Sequence, residues 1–207
     1  NMPSVKKYLH VPTPEVYGST QGWVKEDQPY NPSTPYAVSR AAAEMMLKCY
    51  QKQYRFPVVF TRSANVYGPG QQLYRLIPKL IVSIKKGIRF PLEGGGHSTR
   101  SFVHVRDVCD ATWRVLINGD GAYHISSQMT YSIRGIVGLI CEAMKVRFED
   151  AVEPVLDRPG KDASYLLDST RIRRLGWNDS VWLEDGILEC IEWVNAEWDT
   201  LKLLPME

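Results

Sequence analysis

The sequence predicts a parallel α/β fold, and three observations carry that prediction. Short β-branched or apolar runs at 7–11, 57–62, 102–105 and 121–125 alternate with longer segments of helical period. Strand–helix alternation at this spacing builds crossover units and therefore a parallel sheet. Two polar loops, 12–18 and 63–69, leave the carboxyl ends of predicted strands, where parallel sheets gather their functional groups.

Taken in order, 7–11 is an apolar strand that Pro12 ends. The stretch 19–35 is polar and proline-rich and reads as a surface loop. The spacing predicts a helix over 36–54, with small or apolar side chains at Ala37, Ala41, Met45 and Tyr50 and at Ala42, Met46 and Cys49. Strand 57–62 follows, then a helix over 76–86 with Leu76, Ile77, Leu80, Ile81 and Ile84 on its apolar side. A strand at 89–92 runs into the Glu93-Gly94-Gly95-Gly96-His97 turn. After strand 102–105 comes a helix over 107–117, with Asp107 suited to cap it. Strand 121–125, helix 132–145 and strand 152–155 lead to a basic helix at 169–175 that Gly176 stops. An amphipathic helix over 183–198 completes the pattern, and no repeat or low-complexity tract interrupts it.

Composition excludes several classes of function. The 207 residues suffice for one large domain or a domain with a small lobe. A net charge of +2 argues neither for nucleic acid nor for a membrane surface. No apolar run has transmembrane length, and no signal peptide is visible. Cys49, Cys109, Cys141 and Cys190 are widely spaced and form no CxxC pair. They read as reduced, mostly buried thiols of a cytoplasmic protein, and no ligand cluster supports a metal site. His10, His97, His104 and His124 read as structural or solvated. Trp177, Trp182, Trp193 and Trp198 read as packing residues. Lys85-Lys86 and Arg171, Arg173 and Arg174 read as solvated helix faces.

The chemistry starts at Tyr36 and Arg40, four residues apart at the start of the first predicted helix. That spacing places both on one face, one turn apart. A fixed cation beside a phenol favours the phenolate, and a tyrosine tuned in this way can exchange a proton with an alcohol near neutral pH. Alone, the pair reads more simply as an ordinary amphipathic helix.

Its neighbours supply context. Thr13-Pro14-Glu15-Val16-Tyr17-Gly18, Pro35-Tyr36-Ala37-Val38-Ser39-Arg40 and Arg62-Ser63-Ala64-Asn65-Val66-Tyr67-Gly68-Pro69 come first. Leu76-Ile77-Pro78, Arg100-Ser101-Phe102-Val103-His104-Val105-Arg106-Asp107 and Leu175-Gly176-Trp177 follow in order. Together they resemble the extended short-chain dehydrogenase/reductases, specifically the nucleotide-sugar epimerase/dehydratase family. Asp157-Arg158-Pro159-Gly160-Lys161-Asp162 looks most like its dTDP-glucose 4,6-dehydratase branch. The resemblance implies the C-terminal part of a Rossmann-like parallel sheet plus a small α/β substrate lobe. It places the sheet at about 1–72 and 100–125, and the lobe at about 73–99 and 126–207.

The same resemblance implies NAD as cofactor, a nucleotide-diphosphate sugar as substrate and hydride transfer at sugar C4. Tyr36 would be the base, and Arg40 stands where the family has lysine. Thr13 would bond the C4 oxygen, and Glu15 matches the glutamate that removes the C5 proton. Tyr36, Arg40 and Ser63 would face the cofactor, and Asn65, Arg75, Arg100 and Arg158 the nucleotide diphosphate, to whose oxygens cations and amides are suited. A homodimer through the tyrosine-bearing helix is also implied, with Ala41, Ala42, Ala43, Met45 and Met46 allowing close helix approach.

Three departures temper the implication. No GxxGxxG turn occurs in these residues, so the N-terminal dinucleotide-binding half, roughly 100 residues of two crossover units, is expected to be missing. Arg40 keeps the charge of lysine but not its compact head. Pro14 replaces the aspartate that protonates the departing C6 hydroxyl, and proline offers no proton. Two functions remain open: a dehydratase or epimerase, or a catalytically impaired homologue that binds nucleotide sugar or serves as an assembly partner.

Overall fold

The structure, a computed structural model, describes residues 4–157 and 166–206. Its strands are β1 (Tyr8–His10), β2 (Trp23–Val24), β3 (Val58–Ser63), β4 (Asn65–Tyr67), β5 (Phe90–Glu93), β6 (Thr99–Arg100), β7 (Phe102–His104), β8 (Gly121–Ile125), β9 (Tyr131–Ser132), β10 (Val152–Val155) and β11 (Leu166–Leu167). Its α-helices are α1 (Pro35–Tyr54), α2 (Leu76–Lys85), α3 (Val105–Asn118), α4 (Ile133–Ala143), α5 (Phe148–Ala151), α6 (Thr170–Arg173), α7 (Leu183–Ala196) and α8 (Trp198–Leu201).

The chain divides into two compact units. The first holds Asn1–Val66, Ser101–Met129 and Asp162–Ser180; the second holds Tyr67–Arg100, Thr130–Lys161 and Val181–Glu207. Leu167, Ile172 and Trp177 are core residues of the first unit, although the resemblance implies a lobe for about 126–207.

The first unit is built on a parallel sheet in the order β1-β3-β8. Tyr8 pairs with Val58, and Val59 with Gly121. Central β3 is buried from Val58 to Arg62, because a parallel strand covered on both faces reads as a run and not as an alternation. Val59, Val103, Ala111, Val115, Tyr123 and Ile125 share the core with Val16, Tyr17 and Trp177.

Local chemistry sets the helix ends. Pro35 fits the first turn of α1, whose Thr34 Oγ1 accepts from Ala37 N at 3.1 Å. The cap of α3 is His104, whose Nδ1 accepts from Arg106 N at 3.3 Å. The expected cap, Asp107, lies inside the first turn because the helix starts two residues earlier. There Asp107 accepts from Ser180 Oγ at 2.7 Å, and its carbonyl from Trp177 Nε1 at 2.9 Å.

Other expectations change for comparable reasons. Cys141 and Cys190 are buried, but Cys49 and Cys109 lie on exposed faces of α1 and α3. Trp177 is fully buried, whereas Trp182 is exposed. The basic face at 171–174 is held by protein groups: Arg173 Nη2 donates to Asp179 at 2.6 Å, and Arg171 stacks over Tyr123 and donates to Asp120 O at 2.8 Å.

In the second unit α2 packs on α4 and α7, and Ile77, Leu80, Ile81, Ile136, Ile140, Ile187 and Val194 on these helices are all buried. Strand β10 lies parallel to β5, with Val152 opposite Phe90. Between β5 and β6 the three glycines 94–96 all take positive φ, and a Cβ on Gly96 would stand 2.8 Å from Arg134 N.

Candidate active site

The segment 12–18 is not an open loop. Pro14–Tyr17 forms a turn of 3₁₀ helix, capped by Thr13, whose Oγ1 accepts from Glu15 N at 3.3 Å. Pro14 occupies the first helical position, where its missing N–H costs nothing. Thr13 and Pro14 are buried and Glu15 is half-buried. Gly18 ends the turn at φ 63°, ψ −152°, a region essentially restricted to glycine. A Cβ there would lie 2.1 Å from Asn31 O, and Asn31 N donates to Val16 O at 2.9 Å. These contacts fix how the turn ends, with Thr13 and Glu15 at its opening end.

Helix α1 packs on this turn. Tyr36 is its second residue and is 53% exposed, so its phenol is open to a ligand. One turn on, Arg40 Nη2 donates to Val11 O at 2.5 Å. The guanidinium thus reaches back to the chain two residues before Thr13. Arg40 Nε is buried without a hydrogen-bond partner among the described residues, as is His10 Nε2. Burial, then the nearby Arg40 charge, lowers the His10 pKa.

Ser63 closes β3 opposite Ile125 and is half-buried. Asn65 Nδ2 donates to Ser101 O at 3.0 Å. Thr13, Glu15, Tyr36, Arg40, Ser63 and Asn65 all belong to the first unit. Arg75 and Arg100 belong to the second. Arg75 is exposed at the start of α2, its guanidinium 5.2 Å from the Tyr74 ring. Arg100 is half-buried on β6 and donates to Thr99 O at 3.0 Å. Arg158 lies outside the described residues.

Sequence reasoning missed the polar centre beneath this turn. Arg62 and Glu44 are both 0% exposed and form an ion pair. Arg62 Nε also reaches Glu44 Oε2 at 3.2 Å, and Nη1 donates to Tyr17 Oη at 2.9 Å. Tyr30 Oη donates to Glu44 Oε1, while Lys48 Nζ lies 3.1 Å from the same oxygen. The signal was available. Glu44 falls on the α1 face whose other residues, Ala37 and Ala41, are buried, and Arg62 interrupts an otherwise uncharged central strand. A lone charge on each of two facing buried surfaces implies a pair.

Burial holds the Tyr17 and Tyr30 phenols far above their ordinary range, so both act as O–H groups. His124 is fully buried. Burial first, and the Arg62 charge second, lower its pKa to about 3. Its Nδ1 lies 3.1 Å from Val24 O, which can only accept, so Nδ1 carries the hydrogen. Nε2 then accepts from Tyr17 Oη at 2.7 Å.

This has a consequence for stability. Between its unfolded value and about pH 3, His124 is protonated in the unfolded chain and neutral in the folded one. Stability therefore rises with pH in that window and is lost on acidification, with a limiting slope of about 1.4 kcal/mol per pH unit. Burial raises the Glu26 pKa, which works in the opposite sense near its own titration. The comparison with His124→Gln isolates the histidine. Urea midpoints between pH 6.5 and 5 should fall less steeply in the variant; equal slopes would place the proton elsewhere.

Among the described residues no group of three or more His, Cys, Asp or Glu could hold a metal ion, and no helix is long and apolar enough to cross a membrane.

Comparison with known proteins adds to this geometry. The family model for GDP-mannose 4,6 dehydratase matches residues 1–190. Human dTDP-D-glucose 4,6-dehydratase is 37% identical over 206 residues, covering 96% of this chain and 59% of that protein. The dTDP-glucose 4,6-dehydratase of Bacillus anthracis, solved in complex with NAD, superposes with a TM-score of 0.88 at 31% identity, covering 94% of this chain and 63% of that one. The corresponding enzyme of Streptomyces venezuelae, solved with NAD and TYD bound, gives 0.87 at 33% identity, covering 92% and 60%. The chain thus spans about three fifths of the length of these relatives.

Proposed function

The chain belongs to the GDP-mannose 4,6 dehydratase family, and from that premise we propose that it acts at C4 of a nucleotide-diphosphate hexose, with Tyr36 as base, and does not carry out the 4,6-elimination of its relatives. The observation that carries this reading is Pro14. It fills the first position of the buried turn between Thr13 and Glu15, where elimination needs a proton donor for the departing C6 hydroxyl. Oxidation or inversion at C4 needs no such donor.

NAD, when bound, supplies the hydride acceptor. The residues present suit its ribose: Arg40 Nε is a buried donor without a partner among the described residues, and a ribose hydroxyl is an acceptor for it. Arg40, fixed on Val11 O, places a permanent positive charge one turn below Tyr36. The exposed Tyr36 phenol takes the C4 hydroxyl proton. Thr13 Oγ1 accepts from Glu15 N and keeps its own hydrogen to donate to the C4 oxygen. Glu15 can remove a C5 proton but has no acid beside it in the turn. Ser63 belongs to the cofactor side of this reading. Asn65, Arg75, Arg100 and Arg158 are assigned to the diphosphate. A homodimer through α1 is part of the same proposal: Val38, Met45 and Met46 are exposed on it, while Ala41 faces the core instead.

One observation favours a second reading, an inactive nucleotide-sugar binder. The Arg40 donor that a lysine would direct at ribose is held by Val11 O. The test is incubation of the full-length protein with NAD and dTDP-, UDP- or GDP-hexoses, followed by NMR of the products. A C4-inverted or 4-keto hexose that retains its C6 hydroxyl is expected. A 4-keto-6-deoxy product would overturn the assignment to Pro14, and nucleotide-sugar binding without any turnover would establish the second reading.

A further inference from the structure

The buried ion pair invites a question of purpose. Exchanging a buried charge pair for apolar residues of similar volume is often neutral or favourable, so stability alone does not account for Arg62 at the centre of β3. Its contacts run in two directions. Nε and Nη2 hold Glu44, which lies one turn beyond Arg40 on α1, the same helix that carries Tyr36 at its start. Nη1 holds Tyr17 Oη at 2.9 Å, and Tyr17 is the last residue of the 3₁₀ turn that opens at Thr13. One rigid guanidinium therefore joins the helix that carries Tyr36 to the turn that carries Thr13 and Glu15.

Both arms are backed. His124 Nε2 accepts from Tyr17 Oη at 2.7 Å and is fixed in turn by Val24 O. Tyr30 and Lys48 hold Glu44 from its other side. All six side chains lie in the first unit. A guanidinium fork sets distance and angle together, which an ammonium does not.

We infer that Arg62 is a positioning residue: through Glu44 and Tyr17 it fixes Tyr36 relative to Thr13 and Glu15. The inference rests on the reading of Tyr36 and Thr13 given above, and its test separates the two. Two variants serve. Tyr17→Phe keeps the ring and both charges but cuts the link from Arg62 to the turn. Glu44→Leu with Arg62→Met removes both links and keeps the volume, so that a folded protein is available if one variant fails.

In each, 3-fluorotyrosine placed at position 36 of the full-length protein reports the surroundings of that phenol by ¹⁹F NMR, whether or not the protein turns over. Where it does, kcat should fall about 10- to 100-fold with little change in KM, the mark of misplacement and not of lost binding. The Tyr36 resonance should move in both variants, since neither substitution touches Tyr36. A resonance that stays in place while only thermal stability changes would overturn the inference and leave the network a structural one. A protein that never turns over loses the functional reading, and the resonance alone then decides the positioning role.

Discussion

Glu44→Ala is expected to remove about 3–5 kcal/mol of unfolding free energy, because it strands a buried positive charge. Arg62 is 0% exposed, so water cannot replace the lost carboxylate without opening the core around β3. Tyr30 and Lys48 lose their shared acceptor at the same time. At roughly 2–4 °C per kcal/mol for a chain of this size, the melting temperature should drop by about 6–20 °C. The informative control is the apolar exchange Glu44→Leu with Arg62→Met, which removes both charges and should recover most of the loss. Circular-dichroism melts of the three proteins decide the matter. A single-variant loss below about 1 kcal/mol would mean that Arg62 finds other partners, and a double variant as unstable as the single one would shift the explanation from charge to packing.

This pair also marks where the sequence stopped being legible. Strands β8 and β10 fall where the apolar runs put them, at Gly121–Ile125 and Val152–Val155, because each run has a period of its own. The two-residue strands at Trp23–Val24 and Leu166–Leu167 form by pairing with each other across more than a hundred residues, and two residues carry no period. Asp107 looked like a cap on local preference, yet His104 caps α3, since the helix begins where β7 delivers it. The candidate site behaves in the same way. Tyr36 and Arg40 stand out by their spacing along the chain, whereas Thr13 and Glu15 enter only through the resemblance of the segment around them to a known family. That Arg40 is held by Val11 O, and that Arg62 crosses from β3 to α1 and the 3₁₀ turn, are tertiary facts that no local window contains.

Tyr36→Phe is expected to lower turnover by about 10²- to 10⁴-fold, the range supplied by a positioned general base. It removes one oxygen from a half-exposed side chain, so stability should hold within about 0.5 kcal/mol, and retained nucleotide-sugar binding would show the site intact. A variant keeping more than about a tenth of the wild-type rate would rule Tyr36 out as the base. The companion change addresses the missing acid. Pro14→Asp keeps the cap, because Thr13 Oγ1 still accepts from Glu15 N, and the buried carboxylate it introduces needs a donor, which the hydroxyl of a bound sugar can supply. Combined with Arg40→Lys, which releases Val11 O and restores a compact ammonium, it should divert product toward the 4-keto-6-deoxy sugar. On the proposed mechanism the two substitutions act on different steps: Arg40→Lys on the environment of Tyr36, Pro14→Asp on the fate of the C6 hydroxyl. If Arg40→Lys alone raises the rate while only the double variant eliminates, then proton removal at C4 and loss of the C6 hydroxyl are separable on this scaffold, and the identity of the residue between Thr13 and Glu15 chooses between them.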